Sequence, residues 1–552
     1  MAPSRQAVAP FGALLLPSLA VSVLFVVAYW AHTLEDAMIS FRYALRIAEH
    51  YPFGYWNRVG PAVEGYTSTL WVCVLSLAGD RVDAITTLSK VCGVLAFLGI
   101  PTTLLLLART RIPLVSLDPD AFRRSCSLAA IATLLYVPLI WYATVGMETT
   151  LFTLLVTLVF LAPIATSNTA VLTALNVLAI TTRPDGALFV LGSAAAFLIL
   201  DVNNRRHRSI ILVTSLAALA AIFAWRVHYF GYPMPNTYYA KASGAGLMHV
   251  PAGLHYVGTW LLSHPYMVIP PLLLLFATRF GRKHPVSPFI LALMATLCIY
   301  GLLIIKVGGD DYAAFPFWRH ALQITPLLFF LTFYSLCLLN SPRWVEAGIL
   351  CCALLWPLLG LIPHAQSVTL RTQAIAGLNR DRLFANQPFN PFFLWLRSLT
   401  DRNTTVVTSL AGELPLAVDA IHIDALGLND EYIAHHGTFD PNGAIDSKSD
   451  FAYVMSKKPD IIEGYVSALA ILHRRPYVEL ARTRPKMITE MFTNDVFRSE
   501  YVFVTNAPYG LFDRAIFLRR DFYESSVRRG ATLEMMTVRK MLSPERCQGC
   551  PS

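Results

Sequence analysis

Eleven apolar runs interrupt the first two thirds of the chain, and no other feature constrains the fold as strongly. They occupy residues 11–33, 84–108, 126–145, 149–166, 170–182, 185–200, 209–230, 256–277, 286–305, 321–340 and 345–363. Most approach the roughly 20 residues that a helix needs to cross the hydrocarbon core of a bilayer. Such a run has no water to satisfy its backbone, so it enters lipid as a helix. The remaining composition agrees: 55% of the 552 residues are hydrophobic, 14% are charged, and the mean hydropathy is +0.51. These values predict a polytopic α-helical membrane protein of about eleven transmembrane helices.

The net charge of +9 does not point to nucleic acid. The basic residues fall in short clusters between apolar runs: Arg109, Arg111, Arg123 and Arg124, then Arg205, Arg206 and Arg208, then Arg279, Arg282 and Lys283, then Arg343. A positive-inside bias produces this pattern. All four clusters share the cytoplasmic side if the N-terminus is cytoplasmic and Thr67–Gly79, too short for a comfortable span, is a re-entrant or surface-lying helix. Phe11–Trp30 has no convincing cleavage site after it and reads as an uncleaved first helix. Of nine cysteines, several lie inside apolar runs and pack as small hydrophobes. The pair Cys547 and Cys550 lacks the second pair or histidines that a zinc site needs.

With this orientation the chain divides into a transmembrane part, 1–363, and an external soluble mixed α/β part, 364–552. Strand-like runs at Thr404–Leu410 and Tyr501–Val504 and a helical stretch near Asp450–Lys457 mark the second part. Gln366–Leu399 reads as an aromatic-rich amphipathic linker lying against the membrane. Five polar segments collect on the external side of the first part: Glu35–Leu70, Gly146–Thr149, Arg183–Gly186, Pro233–Lys241 and Lys306–His320. Charge inside a membrane segment is costly, so groups there face a cavity or find a partner. Their shared side predicts one external cavity.

Adjacent carboxylates in a helix or strand point in different directions, so one of Glu35 and Asp36 faces the cavity centre. Asp36 is the stronger candidate for acid/base or nucleophilic work, and a helix cap is the alternative role for the pair. Arg183 and Lys241 are candidate phosphate ligands, with a local Arg183–Asp185 pair as the alternative. Arg42 reads as a carboxylate- or phosphate-orienting group or a surface residue. Glu64 has a helix-capping alternative, and Tyr66, Tyr55 and Trp56 read first as interfacial belt residues. Asn236 is not a glycosylation sequon and is available for hydrogen bonding. Asp310 and Asp311 alone make a poor metal site, because a divalent cation needs several further oxygen ligands. His320 is either a general base or an interfacial hydrogen-bonding residue. No cofactor is assigned; Gly308-Gly309-Asp310-Asp311 could hold a divalent cation or orient a substrate, but a cation is not predicted.

The order of EDAMISFRYA, VEGYTSTLW, GMETTLF, TRPDG, MPNTYYAK, GGDD...RH and DALGLNDEYIA resembles the GT-C class of glycosyltransferases, specifically the terminal β-(1→2)-arabinofuranosyltransferases of the mycobacterial cell wall and their bacterial relatives. The resemblance implies transfer of arabinofuranose from a polyprenyl-phosphate donor to a glycan acceptor outside the cytoplasmic membrane. It carries the catalytic role to Asp36; the family opens on Asp-Asp where this chain has Glu35-Asp36. It implies donor-phosphate contacts from Arg183, Lys241 and Arg319, substrate contacts from Arg42, Glu64, Tyr66, Glu148, Asn236, Tyr239, Asp310, Asp311 and His320, and acceptor binding by the C-terminal domain. A β-product from a β-configured donor means net retention, which makes Asp36 either a nucleophile in two displacements or an assistant in a front-face substitution. Alternatives are the same fold with another polyprenyl-phosphate sugar or a protein acceptor, a transporter or flippase of a lipid-linked saccharide, and an assembly factor.

Overall fold

The computed structural model describes residues 9–110, 118–200, 204–279, 287–310, 318–361, 391–440, 448–474, 485–507 and 514–543. Each expected apolar run falls on helix. The first part comprises α1 (Ala9–Tyr29), α2 (Glu35–Ala48), α3 (Thr69–Ser76), α4 (Val82–Arg109), α5 (Pro119–Leu135), α6 (Val137–Thr144), α7 (Thr149–Ala165), α8 (Thr169–Thr182) and α9 (Gly186–Leu200). It continues with α10 (Arg205–Phe230), α11 (Asn236–Lys241), α12 (Val250–Ser263), α13 (Pro265–Arg279), α14 (Pro288–Val307), α15 (Arg319–Leu322), α16 (Thr325–Leu338) and α17 (Arg343–Leu361).

Among the described residues three helices, α4, α10 and α14, are long and apolar enough to cross a membrane, and two bent pairs raise the number to five. The pair α5 and α6 bends by 61°, and α12 and α13 by 87°. Proline accounts for both breaks. Pro138 and Pro265 stand in the first turns of α6 and α13, where they lack the N–H that would continue the preceding helix. The two breaks touch, because the Tyr136 hydroxyl donates to Nε2 of buried His264 at 2.9 Å while His264 Nδ1 donates to the Trp260 carbonyl at 3.0 Å. Exposed leucines and valines such as Leu95, Leu106, Val213 and Leu302 give the helical part an apolar outer surface, which suits lipid. The protein is thus a mostly helical, multi-pass membrane protein.

The second part is a six-stranded mixed sheet with helices on both faces, in the order β2–β1–β3–β5–β4–β6. Its strands are β1 (Thr405–Thr408), β2 (Ile421–Asp424), β3 (Ile461–Ser467), β4 (Tyr501–Val504), β5 (Arg514–Arg519) and β6 (Met535–Thr537). β1 is parallel to β2 and β3, and the other pairings are antiparallel. Side chains alternate between two cores. Val406, Ile461, Val502 and Ile516 join one, and Val407, Ile462, Phe503 and Phe517 the other. This period of two with apolar residues on both faces is what a sheet covered by two helical layers requires. In Gln366–Leu399 only helix Pro391–Leu399 is described; residues 362–390, and Cys547 with Cys550, lie outside the described residues.

The sheet meets the membrane part through the carboxyl ends of β1 and β2. After β1, the Gly412 N–H donates to Glu35 Oε1 at 2.6 Å, and the Glu413 N–H at 3.3 Å. A side chain at Gly412 would stand 2.1 Å from the Glu35 carbonyl oxygen, so the approach requires glycine. After β2, Asn429 accepts from the Tyr43 hydroxyl at 2.9 Å, and Asn236 Nδ2 donates to the Gly427 and Leu428 carbonyls at 2.8 and 3.0 Å. The crevice beyond the carboxyl ends of parallel strands is where open α/β sheets bind ligands. Here α2 and its following loop fill one side of it.

Candidate active site

α2 is anchored before it begins. Lys90, buried in α4, donates to the Trp30 and His32 carbonyls at 2.6 Å each, just past the end of α1, where a cation also suits the helix dipole. The Leu34 N–H then donates to the Val145 carbonyl at 3.0 Å. Gly146, at φ +91°, lets that loop close on α2; a Cβ there would come within 2.8 Å of Phe41. These contacts fix the first turn of α2, which carries Glu35 and Asp36. Neither caps the helix, because Leu34 is its N-cap and makes no side-chain cap.

The two carboxylates diverge. Glu35 turns to the Gly412 and Glu413 N–H groups. Burial, and secondarily the charge of Asp36, raises Glu35 to about 8 despite those two bonds, so at neutral pH it is protonated. Asp36 turns to the helical part, and its Oδ2 lies 3.1 Å from Arg319 Nη1. Arg319 Nε is 2.5 Å from Asp310 Oδ2, which makes Arg319 a bridge between the two aspartates. His320 Nε2 lies 4.0 Å from the same Asp310 oxygen. Beside this group Arg183 bridges Glu148 and Asp185, each at 3.0 Å. Tyr300 reaches both halves: its hydroxyl lies 3.5 Å from Asp185 Oδ2 and 3.4 Å from the His320 carbonyl, and it donates to Gln323 Oε1. Tyr142 lies in the field of Arg319, Asp310, Asp36 and Glu148.

Four carboxylates therefore share two guanidiniums. Their side chains differ in access: Asp36 is 26% exposed, whereas Asp310 and Glu148 are 4% and 5%. A reagent entering the cluster meets Asp36 first among these three. Arg319 fixes the orientation of that carboxylate through the 3.1 Å contact. Asp311 lies outside the described residues. Among the described residues, no group of three or more His, Cys, Asp or Glu side chains is arranged to hold a metal ion.

The structure thus brings together Asp36, Arg319, Asp310, His320, Arg183 and Glu148 from four of the five polar segments. Other expected site residues stand elsewhere. Arg42 is buried, not on the surface, and its guanidinium donates to the backbone carbonyls of Trp56 (2.9 Å from Nε) and Pro415, leaving it a tie between α2 and the C-terminal domain. Glu64 is a buried partner of Arg226, with Nε 2.9 Å from Oε2 and Nη2 3.0 Å from Oε1, and it accepts from Thr69 Oγ1 at 3.1 Å. Tyr66 is a core residue packed edge-on against Tyr43, not a belt aromatic. Asn236 holds the loop after β2, and Tyr239 packs on Tyr232 and His435. Lys241 ends α11; the bridges to Asp36 and Glu148 run through Arg319 and Arg183.

Sequence reasoning missed the partner of Glu64 and the roles of Tyr300 and Tyr142. A signal for the first existed: Arg226 is the single arginine or lysine of the apolar run 209–230, and such a residue needs a buried partner. The tyrosines sit in apolar runs without any marker. The chain matches no protein-family model and no curated protein sequence.

Proposed function

We propose that this protein is a membrane glycosyltransferase that moves a sugar, arabinofuranose, from a polyprenyl-phosphate donor to an external glycan acceptor, with Asp36 at the reacting carbon. The observation that carries the reading is the partly exposed Asp36 in a cluster of less accessible side chains where carboxylates outnumber guanidiniums. Glycosyl transfer passes through an oxocarbenium-like transition state, and a fixed excess of negative charge favours positive charge developing at the anomeric carbon. A carboxylate at the mouth serves as nucleophile or base. Glu35, protonated and turned to the Gly412 N–H, is unsuited to either role but holds the first turn of α2 in place.

In this reading Arg183 and Arg319 meet the donor phosphate. Each already bridges two carboxylates, so phosphate binding has to compete with a bridge or use a further nitrogen of the fork, such as Arg183 Nη2. The apolar helices beside the cluster accommodate the polyprenyl tail. The topology we propose has about eleven spans of a bacterial inner membrane, a cytoplasmic N-terminus and an external C-terminal domain. The test is transfer by the purified protein from polyprenyl-phospho-arabinofuranose to a synthetic arabinan oligosaccharide. Product with the natural protein and none with Asp36→Asn supports the reading; full transfer with Asp36→Asn defeats it.

The bent pairs α5–α6 and α12–α13, joined through Tyr136 and His264, favour a second reading, because broken helices line the pathways of transporters. A flippase would move a lipid-linked saccharide across proteoliposomes without forming a new glycosidic bond. Movement without transfer would select it.

A further inference from the structure

A second polar region lies between the C-terminal domain and the loops of the helical part. It is a cleft of about 390 Å³, lined among others by Asn57, Tyr232, Glu431, Tyr432, Tyr453 and Lys457. The volume is within the range of small-molecule sites, about 300–1,000 Å³. Two stacked ring pairs border it: Tyr232 with His435, centroids 4.0 Å apart, and Tyr432 with Tyr453, 4.1 Å apart. The carboxylates of Glu431 and Asp430 accept from the hydroxyls of Tyr232 and Tyr453 at 3.0 and 3.2 Å. Three lining residues also carry buried nitrogens without a hydrogen-bond partner among the described residues, Trp56 Nε1, His422 Nδ1 and His435 Nε2. Buried polar nitrogens of this kind cost stability unless a hydrogen-bonding group meets them.

We propose that this cleft is a binding site for a neutral oligosaccharide, a subsite for the part of the acceptor that does not react. The chemistry of the lining selects the class. Asp430 and Glu431 oppose an anion, while the ammonium of Lys457, 4.8 Å from the Tyr453 ring centroid, opposes a cation. Flat aromatic faces flanked by carboxylate, amide and imidazole groups match a ligand that presents C–H faces and hydroxyl edges together. Tyr432, 42% exposed, is the face most open to it.

The cleft is offset from the reacting centre. Asn429, which lines it, is held by Asp424 and touches α2 at Tyr43. Tyr43 is seven residues beyond Asp36, about 10 Å along the helix axis. A glycan seated in the cleft is therefore offset from Asp36 and does not cover it. This assignment of the bound glycan as acceptor rests on the glycosyltransferase reading; the binding itself does not.

Full-length protein in detergent, carrying Tyr432→Ala or Glu431→Gln, is titrated with synthetic arabinofuranosyl oligosaccharides of two and of six units and assayed for transfer to both. The expected result is binding of the six-unit glycan by the natural protein and by Asp36→Asn. Tyr432→Ala weakens it by about 5- to 10-fold, raises KM for the long acceptor by the same factor, and leaves kcat and the two-unit acceptor unchanged. Unaltered affinity and KM in both cleft variants, or no binding of either oligosaccharide, overturns the proposal. So does saturable binding of sulfate or tetramethylammonium that displaces the glycan. Glycan binding lost in Tyr432→Ala together with absent transfer by the natural protein keeps the cleft and removes the transferase reading.

Discussion

The Asp36 cluster and the Tyr232–Tyr453 cleft lie on the same interface, between the helical part and the carboxyl ends of β1 and β2, yet they are built on opposite physical plans. The cluster is buried and ionic: carboxylates held by Arg183 and Arg319 with little access except at Asp36. The cleft is open and close to neutral, with tyrosine rings where the cluster has guanidiniums. A fixed charge array stabilises charge that appears only during a reaction, because its dipoles need no rearrangement. Stacked rings and neutral hydrogen-bonding groups hold a ground state. On the proposed reading, the difference separates a place for chemistry from a place for binding.

That separation breaks if a substitution within one region disables the other in a protein that stays folded. Asp36→Asn is expected to lower kcat by roughly 10²- to 10⁴-fold, the usual weight of a positioned acid–base or nucleophilic group. Glycan affinity measured by titration is expected to stay at the natural value. The next largest effect is on stability. Glu64→Ala leaves Arg226 buried without its carboxylate, a change that costs about 3–5 kcal/mol and lowers the thermal midpoint in detergent. Because the Glu64 carbonyl also accepts from the Asn236 N–H at 2.9 Å, this variant is expected to loosen both regions. Gly412→Ala forces the β1 loop away from the Glu35 carbonyl and is expected to reduce transfer by on the order of 10- to 100-fold through misplacement of α2. Its glycan affinity is expected to change far less.

A further effect concerns pH. Glu35 is raised from 4.5 to about 8 in the folded protein, so the unfolded chain releases this proton first. Below 4.5 both states hold it, and folded stability from this group is fully present; as pH rises toward 8 the unfolded state gains and stability declines. Above 8 the decline ends. Glu35→Gln is expected to flatten this segment of the thermal-midpoint profile, measured between pH 4.5 and 8, while the slopes from other groups persist.

Much of the architecture was legible because it rests on local pattern. Apolar runs located the helices, and TTVVTSL and YVFV located β1 and β4. The number of spans was less legible: the runs 126–145 and 256–277 read as single helices, and each is broken at a proline that an apolar run hides. The divergence of Glu35 and Asp36 follows from the helix itself, since adjacent side chains are about 100° apart. What each one faces is long-range. Gly412 is 377 positions from Glu35, and Arg319 is 283 from Asp36. Arg42 and Tyr66 failed as surface residues for the same reason, because the C-terminal domain and the α2 loop that bury them are invisible in the local sequence.

The most direct measurement compares the natural protein, Asp36→Asn and Glu35→Gln, purified at neutral pH, for transfer from polyprenyl-phospho-arabinofuranose to a synthetic arabinan. The account predicts product from the natural protein, none above background from Asp36→Asn, and substantial product from Glu35→Gln, whose amide preserves the acceptor for the Gly412 N–H. Transfer by Asp36→Asn at the natural rate, or loss confined to Glu35→Gln, would contradict it.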